Sequence, residues 1–210
     1  MKILEKIDPF MFLDVYIVWS GFDLLHNLYK SILKDSKIKN RSMMSNNFIS
    51  LTHASVSSML ALIHMITKNS NVYYILRGYS TGYFLHDIIY SIKEQPYPLN
   101  IGFTYHHIAT ILYLYQNPKI YRTDEILFFA ELSNIPSYFV YYLLKTNKQS
   151  KYLKLMKKIQ FIFYSFIRVF LTSYYLYKMM SIKKDKSKVY GIIPLYFMSL
   201  HWVKKLWDKL

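Results

Sequence analysis

Four side chains in this 210-residue chain are of types that move protons or acyl groups: His106, His107, Asp87 and Glu131. A neutral imidazole can accept a proton, attack a carbonyl or hold a metal ion, and a nearby carboxylate can orient it. Adjacent helical residues point about 100° apart, so the rings of His106 and His107 do not share a face. Thr110, one turn later, is within reach of either ring. Glu131 lies in FFAELSNIPSYF, just ahead of Pro136. A proline inside a helix frees a carbonyl one turn earlier and bends the axis. Glu131, Ser133 and Asn134 beside such a break suit a polar cavity, and equally suit an interhelical hydrogen-bond network.

Further polar residues repeat at helical spacing. His53, Ser57 and His64 fall on one face, beside a stripe of small residues at Ser50, Ala54, Ser58 and Ala61. Small residues let helix backbones approach closely, and the spacing of Gly78 and Gly82 permits the same. Arg77 and Asp87 are about 15 Å apart along one helix, too far to pair directly, so each needs a partner elsewhere or a place near a helix end. Arg168 lies in a stripe with Tyr164, Ser165, Thr172 and Tyr175. Its expected partner is an interior carboxylate, Asp87 or Glu131.

The elements that must position these groups are apolar blocks of about 15–23 residues, close to the ~20 needed to cross a ~30 Å hydrocarbon core. Seven spans are predicted: Pro9–Tyr29, Asn47–Thr67, Val72–Ile92, Ile101–Gln116, Asp124–Leu144, Ile159–Ser181 and Tyr190–Val203. Six or eight also fit. The expected fold is therefore an all-α transmembrane helix bundle. An ionisable group in hydrocarbon costs several kcal/mol, about 2.5–3.5 on insertion scales, so the polar residues are expected to face the bundle interior.

Lysine-rich stretches separate the blocks. Lys30–Asn46, Lys145–Lys158 and the C-terminal Lys204, Lys205 and Lys209 fall on one side of a seven-span arrangement, which the positive-inside rule places in the cytoplasm. Lys183, Lys184, Lys186 and Lys188 fall on the other side. The net charge of +15 is thus confined to loops that meet anionic leaflets, and no basic face of a soluble fold is present to bind nucleic acid. The absence of cysteine excludes disulfides and thiolate chemistry. Asp8 and Asp14 interrupt the first apolar stretch and no small-residue cleavage site follows it, which argues against a removable signal peptide. No cofactor is implied, and the oligomeric state is open.

Several segments, in this order, resemble the TLC domain family, which includes the ceramide synthases. They are NFISLTHASVSS with His53-Ala54, STGYFLHD ending at Asp87, HHIAT at His106–Thr110, AELSNIPSYF around Glu131, FIFYSFIRVF with Arg168, and SLHW. The resemblance runs from about residue 40 to the end and suggests a division into an N-terminal segment, 1–39, and a TLC domain, 40–210. It implies a ring of about six helices around a lipid-accommodating cavity, with the first span outside that core. The histidine-aspartate-rich segment that follows the double histidine in the synthases is replaced here by Glu131-Leu132-Ser133.

The resemblance implies membrane lipids as partners, the endoplasmic reticulum as the membrane and, for a catalyst, acyl transfer from an acyl-CoA donor. In that case His106 or His107 serves as base or transient acyl acceptor, oriented by Asp87 or Glu131. His53, Arg77, Thr110 and Arg168 would then be structural or cavity-lining. Two further functions stay open: a non-catalytic lipid-binding regulator of membrane composition, and a proton or metal transporter using His53, His64, His86, His106, His107, Asp87 and Glu131.

Overall fold

A computed structural model describes residues 9–35, 38, 40–97, 99–116, 118–181 and 192–210. Lys37, Lys39, Asp8, the lysines at 183–188 and the first residues of the predicted last span lie outside them. The described residues are helical almost throughout, with no strand among them. The helices are α1 (Pro9–Ile32), α2 (Arg41–Thr67), α3 (Ser70–Glu94), α4 (Leu99–Leu114), α5 (Thr123–Thr146), α6 (Lys151–Met180) and α7 (Ile193–Trp207). A single turn, Pro118–Tyr121, precedes α5.

Local chemistry sets several boundaries. The Asn40 side chain accepts from the Met43 N–H at the start of α2, and Asn69 accepts from Asn71 at the start of α3. Ser150 does the same for α6 through Tyr152. Lys68 adopts a left-handed conformation that returns its N–H to the His64 carbonyl, so α2 turns into α3 within two residues. Helix α6 begins at Lys151 rather than at the expected Ile159. Its first turns bury Leu153 and leave Lys151, Lys154 and Lys158 in the open, so the lysines ride on a helix instead of a loop. Likewise α1 and α2 reach into the stretch predicted as the first basic loop, which shrinks to the residues between Ile32 and Arg41.

Contacts fix the packing directions. Helix α2 runs antiparallel to α5, pairing Asn47 with Tyr138, His53 with Glu131 and His64 with Asp124. It also runs antiparallel to α3, where Asn46 meets Asp87 and Ser50 meets Tyr83. Helix α1 runs parallel to α3, with Tyr74 donating to Asp14 and the His26 ring set against His86. Its Phe22 is buried in one cluster with Ile49, Tyr83 and Phe84. The tight point is Gly82. A Cβ there would lie 2.6 Å from Val18 Cγ1 and 3.0 Å from the Val15 carbonyl, whereas Gly78 has open space around it. Of the glycine pair, only Gly82 serves close packing.

Polarity is turned outside in. His53, Ser57, Ser80, Asp87, Thr123 and Asp124 are buried. Leu13, Ile17, Ile66, Ile162, Phe166 and Phe170 stand exposed on the outer faces of α1, α2 and α6. Apolar side chains exposed along three helices suit a hydrocarbon surrounding. Helices α2 and α6 are each long and apolar enough to cross a membrane; the others, broken by tyrosine, histidine and charged residues, fall short on apolar content or length.

Two predictions follow from this packing. Gly82→Ala should destabilise the protein by about 1–3 kcal/mol, the usual penalty for forcing a carbon into a filled contact. Gly78→Ala should be neutral or slightly stabilising, and thermal unfolding in detergent compares the two. Equal behaviour of the variants would refute the α1–α3 contact. Asp124→Ala, which strands His64, should cost about 3–5 kcal/mol, and adding His64→Leu should restore much of that loss.

Candidate functional site

The antiparallel descent of α3 and return of α4 bring Asp87 and His107 together. His107 Nε2 lies 2.6 Å from Asp87 Oδ2, while Asn46 Nδ2 of α2 donates to Asp87 Oδ1 at 2.9 Å. Both carboxylate oxygens are therefore engaged, and three helices are tied at one point. Phe84 stacks on the His107 ring at 5.0 Å and Tyr83 meets its edge, which fixes the imidazole plane. With Nε2 held by the carboxylate, the second ring nitrogen, Nδ1, is buried without a partner among the described residues.

His106 is presented differently. It is only partly buried, its ring centroid lies 5.3 Å from that of His107, and its nitrogens have no hydrogen-bonding partner among the described residues. Both histidines and Asp87 line a cavity of about 510 Å³. This volume falls within the ~300–1,000 Å³ typical of small-molecule sites. Tyr138, Gln160, Tyr164 and Arg168 form part of its polar wall, and Phe103, Leu195, Met198 and Trp202 part of its apolar wall. Gln95, Leu144, Lys157 and Lys209 extend it to the end of the bundle where α3 finishes and α6 begins. That end also carries Lys30, Arg41, Lys93, Lys145 and Lys151.

Arg168 does not pair with Asp87 or Glu131. It sits in a π-helical segment of α6, Phe166–Leu171, whose wider turn aims the guanidinium at α5. Nε donates to Ser133 Oγ at 2.9 Å, and Nη2 donates to the Ala130 carbonyl at 3.0 Å and to Asn134 Oδ1 at 3.1 Å. Three neutral acceptors in the turn before Pro136 thus take the place of the expected carboxylate.

The remaining residues singled out in the sequence lie elsewhere. Glu131 does not line the cavity; its Oε2 faces His53 Nδ1 at 3.7 Å. His53 is fully buried and stacked on Tyr83, with ring centroids 3.8 Å apart, which marks it as a packing element. Thr110 contacts neither histidine ring and donates to the His106 carbonyl of its own helix. Arg77 lies over the Tyr115 ring at 4.7 Å and the Tyr74 ring at 5.5 Å, well away from Asp87. The histidine and carboxylate set divides into separate pairs along α2: His107–Asp87, His53–Glu131 and His64–Asp124. No three such side chains converge on a metal-sized site among the described residues.

Sequence reasoning missed Asn46 as the second holder of Asp87, and the His64–Asp124 contact at 2.7 Å. The register of α2 against α5 points toward the latter. Eleven residues forward from His53 and eleven back from Glu131 reach residue 120, about one turn short of Asp124, so the register brings His64 near the start of α5 without naming its partner.

No curated protein and no solved structure matches the chain. The TLC domain family does, over residues 43–207, a stretch that contains the whole Asp87–His107 site and all of the cavity wall up to Trp202 and Leu206. Membership ties the chain to membrane lipids in general terms, and the apolar outer faces agree with a membrane protein. With the match covering most of its length, and with the helical bundle that the motif order implied, the chain belongs to the TLC domain family.

Proposed function

We propose that this chain is a multi-pass membrane protein that transfers acyl groups to a membrane lipid, with His106 as the reacting imidazole and Asp87–His107 as the buried pair beneath it. The observation that carries the reading is the pairing of a carboxylate-held histidine with an adjacent, unpartnered one at the wall of a single cavity. His107 has one nitrogen on Asp87 and the other sealed in protein, so it suits positioning. His106 alone offers a free imidazole to the cavity. Its lone pair removes the proton from an incoming lipid hydroxyl or amine as that atom attacks the donor's thioester carbonyl; the C–S bond then breaks and the departing thiolate takes the proton from the imidazolium. Alternatively it takes the acyl group, releasing the donor's thiol, and hands it to the lipid. By family resemblance the donor is an acyl-CoA and the membrane is the endoplasmic reticulum.

In this reading the basic end of the bundle faces the cytoplasm, as the positive-inside rule requires, and the cavity opens on that side. Helices other than α2 and α6 cross the bilayer as members of the bundle. Their polar side chains are covered by neighbours, so composition alone undervalues them.

A non-catalytic lipid-binding role is the second reading. It is favoured by the use of both Asp87 oxygens on protein groups, which suits holding helices together. The discriminating measurement is the acyl-lipid profile of membranes holding wild type, His106→Ala or His107→Ala at equal abundance. Acyl transfer through His106 requires that His106→Ala abolish the wild-type change in lipid species while the protein stays folded. His107→Ala should lower the change and also destabilise the bundle, because it strands Asp87. A wild-type profile retained in His106→Ala would end the catalytic assignment and leave lipid binding.

A further inference from the structure

The free charge of the cavity is positive. Asp87 is engaged by His107 and Asn46, whereas Arg168, Lys157 and Lys209 line the same space and form no ion pair among the described residues. Lys157 Nζ reaches only the Lys209 carbonyl, at 2.9 Å. Arg168 is the deepest of the three. Its Nε and Nη2 are used on neutral oxygens of α5, which fixes the plane of the guanidinium, and Nη1 has no bond to a described residue. A cation in a sheltered interior with no carboxylate at ion-pair distance leaves part of its hydrogen bonding open, and a ligand anion can complete it. Beyond the polar wall, Phe103, Leu195, Met198 and the ring of Trp202 present mainly hydrocarbon surface that suits a lipid tail.

We propose that the cavity selects a single-tailed amphiphile with an anionic head, a carboxylate or phosphate seated on the free edge of Arg168 and its tail along the α4–α7 wall. The proposal rests on the assignment of this cavity as the functional site and adds the class of lipid it holds.

The test uses the full chain in phosphatidylcholine nanodiscs, with retention of labelled ligand measured over empty nanodiscs. Hexadecanoate and hexadecyl phosphate should bind at least tenfold tighter than hexadecanol. A hundredfold excess of inorganic phosphate should not displace them. Arg168→Gln should bring both anions down to the level of the alcohol, and Arg168→Lys should keep part of the preference. Equal retention of alcohol and anions by wild type overturns the proposal whether or not the Arg168 variants fold, and displacement by inorganic phosphate overturns it in favour of a free-anion site. A tenfold preference that survives in His106→Ala, alongside an unaltered lipid profile in that variant, would sink acyl transfer and leave anionic-lipid selection standing.

Discussion

Helix α2 is in contact with α1, α3 and α5 at once, and it can be because its inward residues are small. Ser45, Ser50, Ala54, Ser57, Ser58 and Ala61 are buried along its length, so neighbouring backbones close in without displacing large side chains. Ser50 and Ser57 spend their hydroxyls on carbonyls one turn back, those of Asn46 and His53, and Ser45 donates across to the His26 carbonyl of α1. Larger residues in that stripe would separate α5 from α3. The Asn46–Asp87 bond, the His53–Tyr83 stack and the His64–Asp124 contact all span gaps that α2 holds narrow.

The distribution of polarity follows from the same arrangement. With hydrocarbon as the outer solvent, apolar side chains lose nothing by facing outward, and each buried polar group must find a partner inside. Three histidine–carboxylate contacts lie at successive depths. They differ in geometry. Two are at hydrogen-bond distance, and the middle one, at 3.7 Å, is not; there the aromatic rings of Tyr83 and Phe84 rather than the carboxylate hold the imidazole. The cavity lies beside only one of the three, which separates a site able to meet a ligand from two that hold helices together.

Much of this was legible beforehand, because helix identity and inward faces depend on local spacing. His53, Asp87, His107 and Glu131 are interior, as the cost of charge in hydrocarbon demands, whereas the caps Asn40, Asn69 and Ser150 start their helices earlier than the apolar blocks at Asn47, Val72 and Ile159 suggest. Partners were less legible. Arg168 was matched to a carboxylate on charge, yet a guanidinium goes where its helix aims it, and the oxygens within reach belong to Ala130, Ser133 and Asn134. Gly78 and Gly82 read alike in sequence, but only the register of α1 decides which meets Val18. Thr110 turned to its own backbone because a threonine in a helix always has a carbonyl one turn back within range.

The π segment of α6 has a wider bearing. A π turn holds about one residue more than an α turn, so the helix wheel advances by roughly 100° less than the residue count implies across Phe166–Leu171. Residues before and after it belong to two different angular frames, and a stripe drawn from Tyr164 through Tyr175 on one wheel mixes them. Deleting a single residue there would restore a regular helix of the same composition while rotating either Tyr164 or Tyr175 away from its present neighbour. The surplus residue thus acts as a phase shifter, allowing one rod to address the cavity wall with one half and Glu125 with the other.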